Sequence, residues 1–314
     1  MQVVVSDHVF DNVEVERSLV AALGATLTVA PSSDEDTLAR LAAGADAMLV
    51  CFAPITARVV NAAAGANCKI IARYGIGVDN VDVAAATDAG IRVTNVPDYC
   101  LDEVADHTVA LLLSLARQVV TASQGVRSGG WDVPHGRVHR LRGQRLALIG
   151  VGRIGSRVVE RALPFGLDVV GYDPFLRLRI PGLTQVDSPE EAVAEADFVS
   201  VHAPLTPDTR HVVSHRLIAA MNRAPILLNT ARGGLIDLDA AMEGLSAGKL
   251  SGLGLDVMEV EPLPPDSPLR SDPRVVVTPH MAFYSVEATQ DLQRRAAEEV
   301  VRALSGQPAR SPVN

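Results

Sequence analysis

From its first residues to its last, the chain alternates short runs of β-branched residues with Ala-, Leu- and Arg-rich stretches of helical period. Strands separated by helices pair in parallel, because a parallel neighbour needs a long crossover, and the crossing helices then cover both faces of the sheet. The pattern therefore predicts an α/β protein built on parallel sheets and excludes sandwiches, meanders and helical bundles.

In the first hundred residues strands are expected at 2–6, 26–29, 47–51, 69–72 and 91–94, enough for one complete small sheet. Asn95-Val96-Pro97-Asp98 then breaks the pattern. The stretch that follows, EVADHTVALLLSLARQVV, reads as one long helix whose apolar residues nearly encircle it, which predicts burial. Residues 123–142 are polar and Gly-rich and carry the only tryptophan, Trp131. A patternless stretch of that length is usually functional or packed on a partner. From Arg145 the alternation restarts, with strands expected near 146–149, 168–172, 197–201, 225–229, 252–257 and 275–278 and a weak one near Gln185, the complement of a Rossmann core. A last helix is expected over 286–304.

The 314 residues suggest two domains, at about 100 to 200 residues each. A net charge of −9 argues against nucleic acid or an anionic membrane as partner, since either needs a concentrated basic surface. A small anionic metabolite needs only one or two aimed arginines. Cys51, Cys68 and Cys100 are scattered without metal-ligand spacing, so neither a disulfide framework nor a metal site is expected, and a reducing cytoplasm fits. The N-terminus has no basic leader pattern, and the apolar run 109–113 stops at Ser114.

The strongest local signal is Leu146-Ala147-Leu148-Ile149-Gly150-Val151-Gly152-Arg153-Ile154-Gly155. An apolar strand running straight into GxGxxG and a helix predicts a dinucleotide loop: Gly150 for the turn, Gly152 for approach of a pyrophosphate, and Gly155 for helix-on-strand packing. Asp173 ends the next strand, where a carboxylate accepts ribose hydroxyls and repels a 2′-phosphate, so NAD is favoured over NADP. Arg232 in NTARGG, Glu261 in DVMEVEP and His280 in TPH follow later strands and should converge at the carboxyl edge of the sheet. Together they suit redox chemistry on a 2-oxo acid: Arg forks onto oxygens, His moves the hydroxyl proton, and Glu holds His in one tautomer. Glu259 is as acidic as Glu261, so spacing alone leaves that choice open.

These residues resemble the D-isomer-specific 2-hydroxyacid dehydrogenase family over nearly the whole chain, through RYGIGVDNVD, NVPDYCLDEVADHTVALLLSLAR, LIGVGRIGSRV, SVHAPLTPDTRHVV, NTARGGLIDLDAA, GLDVMEVEPLP and TPHMAFYS. The resemblance implies a Rossmann NAD-binding domain (98–284) inserted into a flavodoxin-like substrate domain (1–97 and 285–314), with an active site between them. It implies Arg232, Glu261 and His280 as the catalytic set. Cofactor contacts are implied at Gly150, Gly152, Arg153, Ile154, Gly155, Asp173, His202, Ala203, Pro204, Thr209, Thr230, Ala231, Asp256 and Thr108. Substrate contacts are implied at Tyr74, Gly75, Ile76, Gly77, Arg232, His280 and Phe283, and a homodimer contact across 100–143. PDYCLDEVADHT and HMAFYS are similar to the subgroup of NAD-binding corepressors, which gives a second reading as an NAD(H)-sensing interaction protein. A phosphite-type anion dehydrogenase uses a similar Arg/Glu/His set and forms a third. Where phosphoglycerate dehydrogenases commonly carry basic residues, this chain has Cys51-Phe52-Ala53-Pro54-Ile55-Thr56, so the expected substrate is a small unphosphorylated 2-oxo acid such as glyoxylate or hydroxypyruvate.

Overall fold

The computed structural model describes residues 1–133 and 138–314, which divide into two compact units: Met1–Tyr99 with Ser285–Asn314, and Cys100–Tyr284. The first unit is built on five parallel strands, β1 (Gln2–Val5), β2 (Thr26–Val29), β3 (Ala47–Val50), β4 (Ile70–Arg73) and β5 (Arg92–Thr94), in the order β2-β1-β3-β4-β5. That is the flavodoxin-like order, which reverses between β1 and β3. Alternate residues of each strand pack on opposite helical layers. Val3, Val5, Leu49 and Ile70 meet Leu292, Ala296 and Val300 of the returning helix Val286–Leu304, while Val4, Met48, Val50 and Ile71 meet Leu38, Val59 and Val60. Burial on both faces is why these strands read as near-continuous apolar runs, each buried Leu, Ile or Val contributing about 1.5 to 3 kcal/mol. Ser285 caps the returning helix by accepting from the Ala288 N–H at 2.9 Å.

The second unit carries seven parallel strands: β6 (Arg145–Ile149), β7 (Asp168–Tyr172), β8 (Leu183–Gln185), β9 (Phe198–Val201), β10 (Ile226–Asn229), β11 (Gly252–Leu255) and β12 (Val275–Val277). Their order, β12-β11-β10-β9-β6-β7-β8, is the Rossmann arrangement with one added strand and reverses between β6 and β9. Ala147 and Ile149 face one helical layer; Leu146 and Leu148 face the other, where Leu111 and Leu112 of the helix Leu101–Ala116 lie.

One sequence expectation fails locally. The long helix does not run to Val120: it ends at Ala116, Gln118 takes a left-handed φ of +51°, and a second helix, Val119–Arg127, starts there at a 60° bend. The second helix buries none of its residues, so no apolar face drew it into line with the first. The expected patternless stretch is therefore helical at its start; its residues 134–137 lie outside the described ones. Among the described residues no single helix is long and apolar enough to cross a membrane.

Candidate active site

β6 turns at once through Gly150, whose φ of +92° is left-handed, and a Cβ there would lie 2.7 Å from the Ala203 nitrogen. One on Gly155 would lie 2.7 Å from the Gly150 carbonyl oxygen. Packing fixes both glycines. Gly152 differs: a Cβ would meet nothing within 4 Å, and its φ of −78° suits any residue. The open space lies at the N-terminus of the helix Arg153–Ala162, which no side chain caps. The N–H groups of Arg153 and Ile154 donate to no protein group among the described residues. Bare amides, the positive end of a helix dipole and unobstructed approach fit a pyrophosphate.

Asp173 follows β7 and accepts from the Val151 N–H at 2.9 Å and the Phe175 N–H at 2.8 Å through separate oxygens. Its carboxylate is thus pinned to the lip of the loop, with lone pairs left for ribose hydroxyls. His202 follows β9, with Nε2 2.9 Å from the Ser200 hydroxyl, and burial pushes its imidazole down to about 4, so it is neutral near pH 7. After Ala203 and Pro204, Thr209 closes the segment, donating to the Pro204 carbonyl at 2.6 Å and accepting from the Thr206 N–H at 2.8 Å. Buried Thr230 shares a 2.8 Å hydroxyl contact with Thr108, tying the helix Leu101–Ala116 to the end of β10.

Arg232, Glu261 and His280 come after three adjacent strands, β10, β11 and β12. Buried Asn229 shapes the Arg232 segment, accepting from the Ala231 N–H at 3.0 Å and donating to the Arg232 carbonyl at 2.8 Å. The Arg232 guanidinium donates to the Ala231 carbonyl at 2.8 Å. Gly233 brings that segment against the next one: a Cβ would come within 2.0 Å of the Met258 carbonyl carbon. Glu261 Oε1 accepts from the Met258 N–H at 2.8 Å, and Oε2 lies 2.7 Å from His280 Nδ1. Burial pushes the Glu261 carboxyl up, but hydrogen bonds from His280 and Met258 and the nearby charges of His280 and Arg232 outweigh it, leaving the carboxyl below its ordinary value. A carboxylate can only accept, so the His280 ring carries a hydrogen on Nδ1. Glu259, by contrast, pairs with Arg210 at 2.8 Å and His211 at 2.9 Å.

His280 has a left-handed φ of +51°, a conformation that costs a non-glycine residue about 1 to 3 kcal/mol unless its surroundings enforce it. They do. The His280 N–H donates to the carbonyls of Asp256 at 2.8 Å and Thr278 at 3.0 Å. The buried Asp256 carboxylate accepts from the Thr278 hydroxyl at 2.6 Å and the N–H groups of Met281 at 2.9 Å and Ala282 at 2.8 Å. Asp256, expected among the cofactor contacts, is thus engaged by the loop that carries His280. Phe283 follows that loop, half-buried.

In the five-stranded unit Tyr74–Gly77 follow β4. The Tyr74 side chain, expected at the substrate, is in the core: its hydroxyl donates to Glu16 at 2.9 Å, and Gln293 donates to both Glu16 oxygens at 3.1 Å. The Gly75 carbonyl accepts from the Val96 N–H and that of Ile76 from Asn95 Nδ2. The Ile76 and Gly77 N–H groups donate to no protein group among the described residues, which leaves a pair of amides for an anion. Sequence reasoning missed Asn229 and Gly233, although both stand in NTARGG, because their roles are backbone geometry rather than chemistry.

The family described as D-isomer specific 2-hydroxyacid dehydrogenase, NAD binding domain, matches residues 109–282. The chain is 42% identical over 249 residues to D-3-phosphoglycerate dehydrogenase of Methanocaldococcus jannaschii, covering 78% of this chain but 47% of that relative, about half its length. It is 39% identical over 281 residues to hydroxypyruvate reductase of Thermotoga maritima, covering 86% of this chain and 87% of that one. A solved structure of a Thermus thermophilus protein superposes over the full length of both chains with a TM-score of 0.91 at 36% identity. The chain belongs to the D-isomer specific 2-hydroxyacid dehydrogenase family and is an NAD-dependent oxidoreductase acting on the CH–OH group of its donors.

Proposed function

We propose that the protein reversibly reduces a small, unphosphorylated 2-oxo acid, of the glyoxylate or hydroxypyruvate kind or with a modest apolar tail. The observation that carries the reading is the 2.7 Å pairing of His280 with Glu261, beside an Arg232 charge that helps hold Glu261 ionised. Arg232 forks onto the substrate carboxylate and the ketone oxygen, orienting and polarising the carbonyl. His280 gives the Nε2 proton to that oxygen as it becomes a hydroxyl, and Glu261 stabilises the imidazolium before transfer. Bound at the Gly150–Gly155 loop and Asp173, NADH supplies the reducing hydride.

Support for an unphosphorylated substrate comes from the loop after β3. Asp7 accepts the N–H groups of Cys51 at 3.1 Å, Phe52 at 2.6 Å and Ala53 at 3.0 Å, so the amides of this loop already hold an anion. A phosphate dianion there would meet a carboxylate and the Phe52 ring. Support for a homodimer comes from the helix Val119–Arg127, which buries nothing, and from the exposed Val119, Val126, Trp131 and Val133, apolar surface that a second copy would cover. Three free, buried cysteines suit a reducing compartment.

Initial rates of NADH oxidation across a panel of 2-oxo acids test the reading. Hydroxypyruvate or glyoxylate should be turned over and 3-phosphohydroxypyruvate disfavoured; the reverse preference ends the proposal. Arg232→Ala should lower kcat/KM by about a thousandfold or more while NADH still binds. Because reduction needs the imidazolium and oxidation the neutral ring, reduction should fall and oxidation rise with increasing pH. Parallel profiles in the two directions would remove His280 from its role.

A further inference from the structure

A second histidine is wired to the loop that carries His280. His107 lies on the helix Leu101–Ala116, mostly buried, with Nε2 2.9 Å from the Thr278 hydroxyl and 3.6 Å from Asp256 Oδ1. The Thr278 hydroxyl has one proton, and it goes to the Asp256 carboxylate at 2.6 Å, which has none to give. Thr278 therefore faces His107 with a lone pair, and His107 Nε2 must carry a hydrogen and donate it. The order of donation runs from His107 to Thr278 to Asp256, and Asp256 in turn receives the N–H groups of Met281 and Ala282, the two residues after His280. The loop they belong to is the one held in a left-handed turn at His280.

We propose that His107 is a positioning residue for His280, acting through Thr278 and Asp256; the proposal rests on the assignment of His280 as proton donor. A carboxylate that anchors a strained loop needs its own orientation fixed. Asp256 has four acceptor positions and receives three donors besides its neighbour His107, so a freely rotating Thr278 hydroxyl would let its oxygens swing and the 280–282 backbone follow. His107 removes that freedom from the helix side. None of this requires His107 to touch substrate or cofactor.

The test compares His107→Leu, which fills similar space without a donor, with His107→Gln, whose amide nitrogen reaches the position of Nε2. With hydroxypyruvate and NADH, His107→Leu should lower kcat by about 10- to 100-fold, as expected for a displaced reacting group. The KM for NADH should stay within about twofold. His107→Gln should restore most of the lost kcat. Wild-type kcat in the Leu variant overturns the proposal, and so does an equal fall in both variants, which would mean that the ring shape and not its donor matters. Should the Leu variant fail to fold, ¹⁵N resonances of the wild-type imidazoles decide: His107 with a hydrogen on Nε2 supports the proposal, and a bare Nε2 overturns it. A wild-type protein inactive on every 2-oxo acid would instead break the functional reading, while the tautomer measurement would still settle the direction of the hydrogen bond.

Discussion

Each of the two sheets gathers backbone amides at its carboxyl edge, beside the point where strand order reverses, and the two units treat those amides in opposite ways. After β3 the N–H groups of Cys51, Phe52 and Ala53 converge on Asp7, a carboxylate from the loop after β1. After β6 the first N–H groups of the helix Arg153–Ala162 have no side-chain cap, and the nearest glycine leaves its Cβ position empty. An amide cluster closed by the protein's own anion contributes to stability; one left bare is reserved for a ligand, and the fold carries the cost of its unsatisfied donors. The contrast marks the loop after β6, and not the loop after β3, as the one left open to an anion, without reference to sequence motifs.

The largest break in that contrast should come from the glycines of the bare cluster. Gly150→Ala places a Cβ 2.7 Å from backbone atoms at a φ of +92°, so the seven-stranded unit should lose about 2 to 4 kcal/mol of stability or fail to fold. Gly152→Val places its Cβ where no neighbouring atom lies within 4 Å, so its thermal midpoint should stay close to wild type while NADH affinity, read by fluorescence titration, falls by about 100-fold. If Gly152→Val instead destabilised the protein and left affinity intact, the open space would not be the phosphate site.

How legible this was follows from distance along the chain. The strand running into GxGxxG is local, and alternation of apolar runs fixes parallel sheets through burial of both faces, so fold class and nucleotide loop could both be read from the residues. Glu261 and Glu259 could not be told apart, because what separates them is His280, 19 residues on, against His211, 48 residues back. Tyr74 looked like a site residue because it stands beside the glycines of RYGIG, but its partner Glu16 is 58 positions away on the first helix. The break at Gln118 had no signal at all in a helix-forming stretch; within one chain the second helix buries none of its residues.

The closed cluster gives the next test. Asp7→Asn leaves the three amides with one neutral acceptor, so urea denaturation should show a loss of about 1 to 3 kcal/mol, the range for buried donors left short of partners. Added sulfate or inorganic phosphate should recover part of that loss in the variant and not in the wild type, by occupying the vacated amides. A variant as stable as wild type would mean that water satisfies the loop and that Asp7 does not define it.

The smallest effect concerns His202, which backs the bare cluster: its carbonyl lies 2.8 Å from where a Gly150 Cβ would be. Unlike Asp7 it carries no charge, since burial depresses its imidazole from 6.5 to about 4. Between those two values the unfolded chain binds a proton that the folded one refuses. The stability associated with His202 is therefore complete above pH 6.5 and lost as pH falls toward 4. His202→Gln keeps a side-chain hydrogen bond within reach of Ser200 and removes the titration, so it should abolish the part of the acid-induced loss that His202 contributes across that window. The comparison to make is the slope of unfolding free energy against pH in the two proteins. Identical slopes would mean that His202 takes up its proton while folded, and that the strand end behind the nucleotide loop is wetter than its packing implies.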